Sequence, residues 1–197
     1  MAASTLTVPP AEMPLPLHLR GRVGMWCLIA AESAIFTIFV VAYLYYAGKS
    51  TGPTPREVLE VPVFISICLF SSSFTIVMGE KAVHRGNVKL FTVWLFATIV
   101  LGAIFVIGSF REWYRLIYED GVTISSSLFG TTFYSLVGLH LSHVIVGLTM
   151  LSLVLIFSLL GWVKQEHAPR IGVLALYWHF VDTVWVVVLS VVYFIAR

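Results

Sequence analysis

Five long apolar stretches divide the 197-residue chain, with short polar segments between them. Each reaches the roughly 20 residues that a helix needs to cross a bilayer. The pattern predicts spans at residues 23–47, 58–83, 88–110, 127–163 and 171–196. The fourth is longer than a perpendicular crossing requires, which predicts tilt or extension beyond the membrane. Ahead of the first span, residues 1–20 carry Pro9, Pro10, Pro14 and Pro16 and no positively charged leader. They read as an extended lead-in to a retained span, not as a cleaved signal.

The connections support the same plan. His84-Arg85-Gly86-Asn87 predicts a tight polar turn, so the second and third spans should form an antiparallel hairpin. Between the first two spans lie Gly52, Pro53 and Pro55, and Thr54-Pro55-Arg56-Glu57 reads as a capping box with proline at the first helical position. Residues 111–126 form the longest predicted loop, where Trp113, Tyr114 and Tyr118 suit a membrane–water interface. Residues 161–170 connect the last two spans. No connection could hold a second domain, and no internal repeat is present. The expectation is an all-α membrane protein, one bundle of five transmembrane helices over residues 21–197.

Composition sharpens this. Hydrophobic residues make up 59% and charged ones 11% of the chain, against about 25% charged in a soluble domain; the mean hydropathy is +0.94. A net charge of +2, scattered along the chain, gives no footprint for nucleic acid. Cys27 and Cys68 lie inside apolar runs and read as small buried hydrophobes, with no disulfide framework or CxxC metal spacing. Lysine and arginine set the orientation. Arg20, Arg22, Lys81, Arg85, Lys89, Lys164 and Arg170 fall on one side, and Lys49, Arg56, Arg111, Arg115 and Arg197 on the other. Seven against five predicts a cytoplasmic N-terminus and an external C-terminus.

Polar residues at membrane depth are the candidate chemistry: Glu32 in the first span, His140 and His143 in the fourth, His179 and Asp182 in the fifth. Positions three apart share a helix face, so His179 and Asp182 point the same way. A carboxylate at the bilayer centre costs roughly 2.5–3.5 kcal/mol on insertion scales. A partner within the chain, a neighbouring subunit or protonation must offset that cost. Such groups are functional candidates, and equally they can be polar glue between helices. A bis-histidine haem would need one histidine from each of two facing helices at similar depth. His140 and His143 share a helix, and His179 lies nearer the cytoplasmic end than His143. No further ligands complete a copper or zinc site. Ser135, Gly138, Ser142 and Gly147 form a small-residue stripe for close helix packing, within the chain or against another subunit. Ser71-Ser72-Ser73 can bond back to their own helix and are assigned no function.

Three of these stretches resemble one family. Tyr177-Trp178-His179-Phe180-Val181-Asp182-Thr183-Val184-Trp185 looks like the signature of subunit III of the haem–copper oxidases. The segment from Phe133-Tyr134 through Gly138-Leu139-His140-Leu141-Ser142-His143-Val144 to Gly147 is similar to the family's fourth-span motif. Gly24-Met25-Trp26 through Ala31-Glu32-Ser33 to Phe36 resembles its helix with a buried glutamate. The resemblance runs from Arg20 onward. Ala31 departs from the usual serine and Ile35 from one of two aromatics. Five spans match the bacterial form rather than the seven-helix mitochondrial one, whose extra N-terminal pair forms one arm of a lipid-filled cleft.

The resemblance implies an accessory subunit of a respiratory oxidase that reduces oxygen to water and pumps protons, in the bacterial inner membrane. It implies no catalytic residue, metal or redox cofactor in this chain. Haem and copper would sit in the partners, subunit I principally and subunit II, with phospholipid as an optional ligand. Glu32, Asp182 and His179 would then serve a proton or oxygen path, and His140, His143, Trp178 and Trp185 a polar network or lipid contacts. Competing readings are subunit III of a quinol oxidase or a nitric-oxide-reductase homologue, a stand-alone proton transporter, and a membrane cytochrome. Against the transporter stands the lack of an inverted repeat or of broken helices at matched positions.

Overall fold

The structure, a computed structural model, describes residues 17–47, 49, 59 and 61–195. Five helices among them are long and apolar enough to cross a membrane. They are α1 (Leu17–Ala47), α2 (Val63–His84), α3 (Val88–Tyr118), α4 (Leu128–Leu159) and α5 (Ala168–Ser190), the last running on into a π-helical turn, Val191–Ile195. A 3₁₀ turn, Gln165–His167, leads into α5.

Local chemistry sets the ends. Asn87 caps α3 by accepting the Leu90 N–H at 3.1 Å, and Ser127 caps α4 by accepting that of Gly130 at 3.0 Å. The α2–α3 turn closes as a Schellman motif: Asn87 N–H bonds to Ala82 O and Gly86 N–H to Val83 O, both at 3.0 Å. This needs Gly86 at φ +76°, a conformation that other residues rarely adopt. The same motif ends α4 at Gly161, also at φ +76°. Pro169 sits in the first turn of α5, where a missing N–H costs nothing.

Several boundaries differ from the pattern-based ones. The helix expected over 88–110 continues to Tyr118, so half of the expected loop at 111–126 is helical. Hydropathy breaks off at Arg111, but the next two turns are amphipathic. Leu116 is buried, Trp113 meets Tyr134 at 5.4 Å between ring centroids, and Glu112 accepts the Tyr193 hydroxyl at 3.0 Å. The second helix starts at Val63 rather than 58, after Pro62. The fourth stops at Leu159 rather than 163, and the fifth begins at Ala168 rather than 171. The lead-in is already helical from Leu17. Its earlier residues, and the capping box at Thr54 to Glu57, lie outside the described residues.

α2 and α3 pack along their lengths as a hairpin, α3 packs on α4, and α5 touches α1, α2 and α4. α5 holds the central position among the five helices. Half of its apolar window is buried, against 11% for that of α1. Trp178 of α5 is wholly buried, and two glycines make its room. A Cβ at Gly102 would stand 3.0 Å from the indole, and one at Gly147 2.9 Å from it. The small-residue stripe on α4 thus packs within the chain at Gly147 and at Gly138, which faces Trp113.

Candidate functional site

Two polar clusters occupy the bundle interior. The first joins α1 to α4. Glu32 Oε2 lies 3.2 Å from His143 Nε2, and His143 Nδ1 lies 2.8 Å from the carbonyl of Leu139 one turn earlier. Both ring nitrogens are therefore engaged, the main-chain carbonyl requiring a proton on Nδ1. Tyr177 donates its hydroxyl to the His143 carbonyl at 3.2 Å, tying α5 to the same point. Phe36, one turn beyond Glu32, covers the imidazole at 5.1 Å. The carboxyl expected to need a partner has one inside the chain.

The second cluster joins α2 to α5 and runs as antiparallel rungs. Trp185 donates its indole N–H to Ser66 at 3.0 Å, and Trp178 donates to Ser72 at 2.9 Å. Next to Ser72, Ser73 donates to Asp182 Oδ2, and its oxygen lies 3.1 Å from His179 Nδ1. With the single hydroxyl proton given to the carboxylate, the serine oxygen accepts from His179 Nδ1–H. Ser73 thus couples the two residues that the sequence placed on one face. The other carboxylate oxygen, Asp182 Oδ1, is buried with no hydrogen-bond partner among the described residues.

His140 belongs to neither cluster. It is fully buried, stacked on Trp185 at 5.0 Å and edge-on to Phe105 at 5.9 Å, and neither ring nitrogen has a partner among the described residues. Trp178 and Trp185 are enclosed by the chain's own residues, facing protein rather than lipid. Among the described residues no group of three or more His, Cys, Asp or Glu side chains could hold a metal ion.

Sequence reasoning missed the serines. Their signal is weak: Ser66 and Ser72, which take the two indole N–H groups, are six apart on α2, whereas Trp178 and Trp185 are seven apart on α5. Between α1 and α5 runs an apolar groove of about 460 Å³, walled by Phe36, Val40, Phe180 and Val184. His179 also lines it, as do Ser33 and Thr37. Phe36 is shared: its ring meets His143 and also forms part of the groove wall.

The profile of the family described as Cytochrome c oxidase subunit III matches residues 19–197. Similar proteins match over most of their length. A cytochrome c oxidase subunit 3 of Alkalihalophilus pseudofirmus is 33% identical over 91% of this chain and 92% of its own. A probable cytochrome c oxidase subunit 3 of Nocardia farcinica is 35% identical over 88% and 87%. The quinol oxidase subunit 3 of Bacillus subtilis is 31% identical over 86% and 84%. With these matches and five membrane-crossing helices, the chain belongs to the cytochrome c oxidase subunit III family, accessory subunits of haem–copper oxidases.

Proposed function

We propose that this chain is the non-catalytic subunit III of a cytochrome c oxidase in a bacterial plasma membrane. It docks on subunit I, with subunit II in the same complex, and haem and copper reside in those partners. The histidine chemistry supports the absence of a redox group here. Both His143 nitrogens are engaged, His179 is coupled to Ser73, and His140 is wedged between Trp185 and Phe105. The N-terminus faces the cytoplasm, which the lysine and arginine balance supports. Cytochrome c as donor is supported by the names of the relatives at 33–35% identity.

The observation that carries the functional reading is the shared wall at Phe36. An apolar groove open along α1 and α5 gives oxygen, a nonpolar gas, a place to partition. Its inner wall lies against the Glu32–His143 pair. Glu32 and His143 hold that wall at fixed depth, while Asp182 and His179, coupled through Ser73, form the polar lining behind the other end. Oxygen reduction itself takes place in the catalytic neighbour. This chain supplies access and keeps the site from inactivating during turnover.

In the purified oxidase, Glu32→Ala should leave the complex assembled and its initial rate near normal, yet shorten its active life under turnover. Inactivation kinetics identical to those of the unmodified complex would overturn the role given to Glu32.

A further inference from the structure

The groove between α1 and α5 is apolar along most of its length, yet the few polar atoms at its middle share one property. Ser33 donates its hydroxyl to the Ile29 carbonyl at 2.7 Å, and Thr37 donates to that of Ser33, also at 2.7 Å. Thr183, which lines the groove from α5, donates to the His179 carbonyl at 2.8 Å. A hydroxyl has one proton to give. Each of these is committed to its own helix backbone, so only oxygen lone pairs are left for the groove.

His179 follows the same rule. Its Nδ1–H is taken by Ser73 on α2, so a neutral ring keeps a bare, accepting Nε2 on its opposite edge. No hydrogen bond to that nitrogen occurs among the described residues. The middle of the groove therefore accepts and does not donate. The Trp26 indole N–H, a donor in the lining, lies seven residues before Ser33, about 10 Å away along α1.

Depth and shape narrow the ligand. His179 stands eleven residues beyond Ala168, the first residue of α5, or about 16 Å along its axis. That is close to the middle of a hydrocarbon layer about 30 Å thick. A charged head group is costly there, whereas an uncharged one is not. The α1 wall of the groove runs from Trp26 to Val40, about 21 Å, so the space is long and suits a chain. Its volume of about 460 Å³ lies within the roughly 300–1,000 Å³ of small-molecule sites.

We infer that this groove binds one long-chain alcohol. The hydroxyl donates to His179 Nε2 at mid-depth, and the hydrocarbon chain lies along Val40, Val184 and Val187. An ether of the same shape has no proton to give and leaves that nitrogen unmatched. The inference stands on the hydrogen-bonding sense of the groove and not on the passage of oxygen, so it holds or fails apart from the role of Glu32.

The full-length chain, purified in mild detergent, is mixed with equal amounts of tetradecanol and its methyl ether, and native mass spectrometry reads what is retained. One alcohol should be held per chain, in about fivefold preference to the ether, the worth of one ordinary hydrogen bond. His179→Phe, which keeps a ring and removes the acceptor, should erase that preference. Val187→Trp, which fills the groove, should abolish retention of both molecules and keeps the test decisive if the histidine variant folds poorly. Val93→Trp, on the exposed face of α3, should leave retention unchanged. Equal retention of alcohol and ether by the unmodified chain would overturn the site, as would undiminished alcohol in both groove variants. So would an equal loss in Val93→Trp, which would mark adsorption to apolar surface in general.

Discussion

Glu32 of α1 and His143 of α4 meet at 3.2 Å, a polar side-chain contact by which the first crossing grips the rest of the bundle. Since little of α1 is buried elsewhere, this pair should matter to how firmly that helix is seated. Breaking one side leaves a half-buried polar group unmatched, typically about 1–3 kcal/mol. His143→Leu and Glu32→Leu should each destabilise the isolated chain by that order, and the double variant by less than their sum. Denaturation in mild detergent gives the cycle; strict additivity would show the two side chains to be uncoupled.

Ser73→Ala should be more disruptive than a surface serine change. Among the described residues it removes the only hydrogen bond to the Asp182 carboxyl, one of whose oxygens already lacks a partner there. The expected loss is about 1–3 kcal/mol. Adding Asp182→Leu should restore part of it, because the stranded polar group goes too. A double variant less stable than Ser73→Ala alone would contradict the pairing.

Gly147→Val tests the packing around Trp178. A Cβ there already comes within 2.9 Å of the indole and 3.2 Å of Tyr177. Overpacking of this kind costs about 1–3 kcal/mol. Thermal unfolding followed by tryptophan fluorescence should show a lower midpoint, and Trp178→Phe in the same chain should recover part of the loss. A midpoint unchanged by Gly147→Val would mean that α4 and α5 can separate freely there.

Tyr193→Phe should loosen the far end of α5. Its hydroxyl reaches Glu112 on the stretch of α3 that hydropathy alone would leave as loop. The loss should be about 0.5–1.5 kcal/mol or somewhat more, since the acceptor is a carboxylate. Limited proteolysis should reveal faster cleavage after Arg115; an unaltered digestion pattern would argue that Leu116 and Trp113 hold that segment unaided.

The number and nature of the helices were legible because bilayer thickness sets their length and hydropathy reports it directly. The end of α3 was not, because amphipathic turns at the interface carry charges that a hydropathy reading takes as a stop. At the site, His179 and Asp182 could be placed on one face by spacing alone. Their link through Ser73 could not, since it depends on the antiparallel register of α2 against α5, which no local pattern encodes. Serines in apolar helices carry little signal by themselves. Only the pairing of Ser66 and Ser72 with Trp185 and Trp178 gives them meaning.

The uneven burial of the five helices has a consequence for assembly. α5 is gripped on three flanks, whereas α1 shows most of its circumference, including Trp26, Ile38 and Val41, to whatever surrounds the protein. The first crossing packs on α4 and α5 along one side only and stands like an outrigger with its other flank open. A chain made ahead of its neighbours would hold that arm by the Glu32 contact and by Phe36 and Tyr43, which are buried in the core. It would be steadied for good only when another protein closes over its open flank.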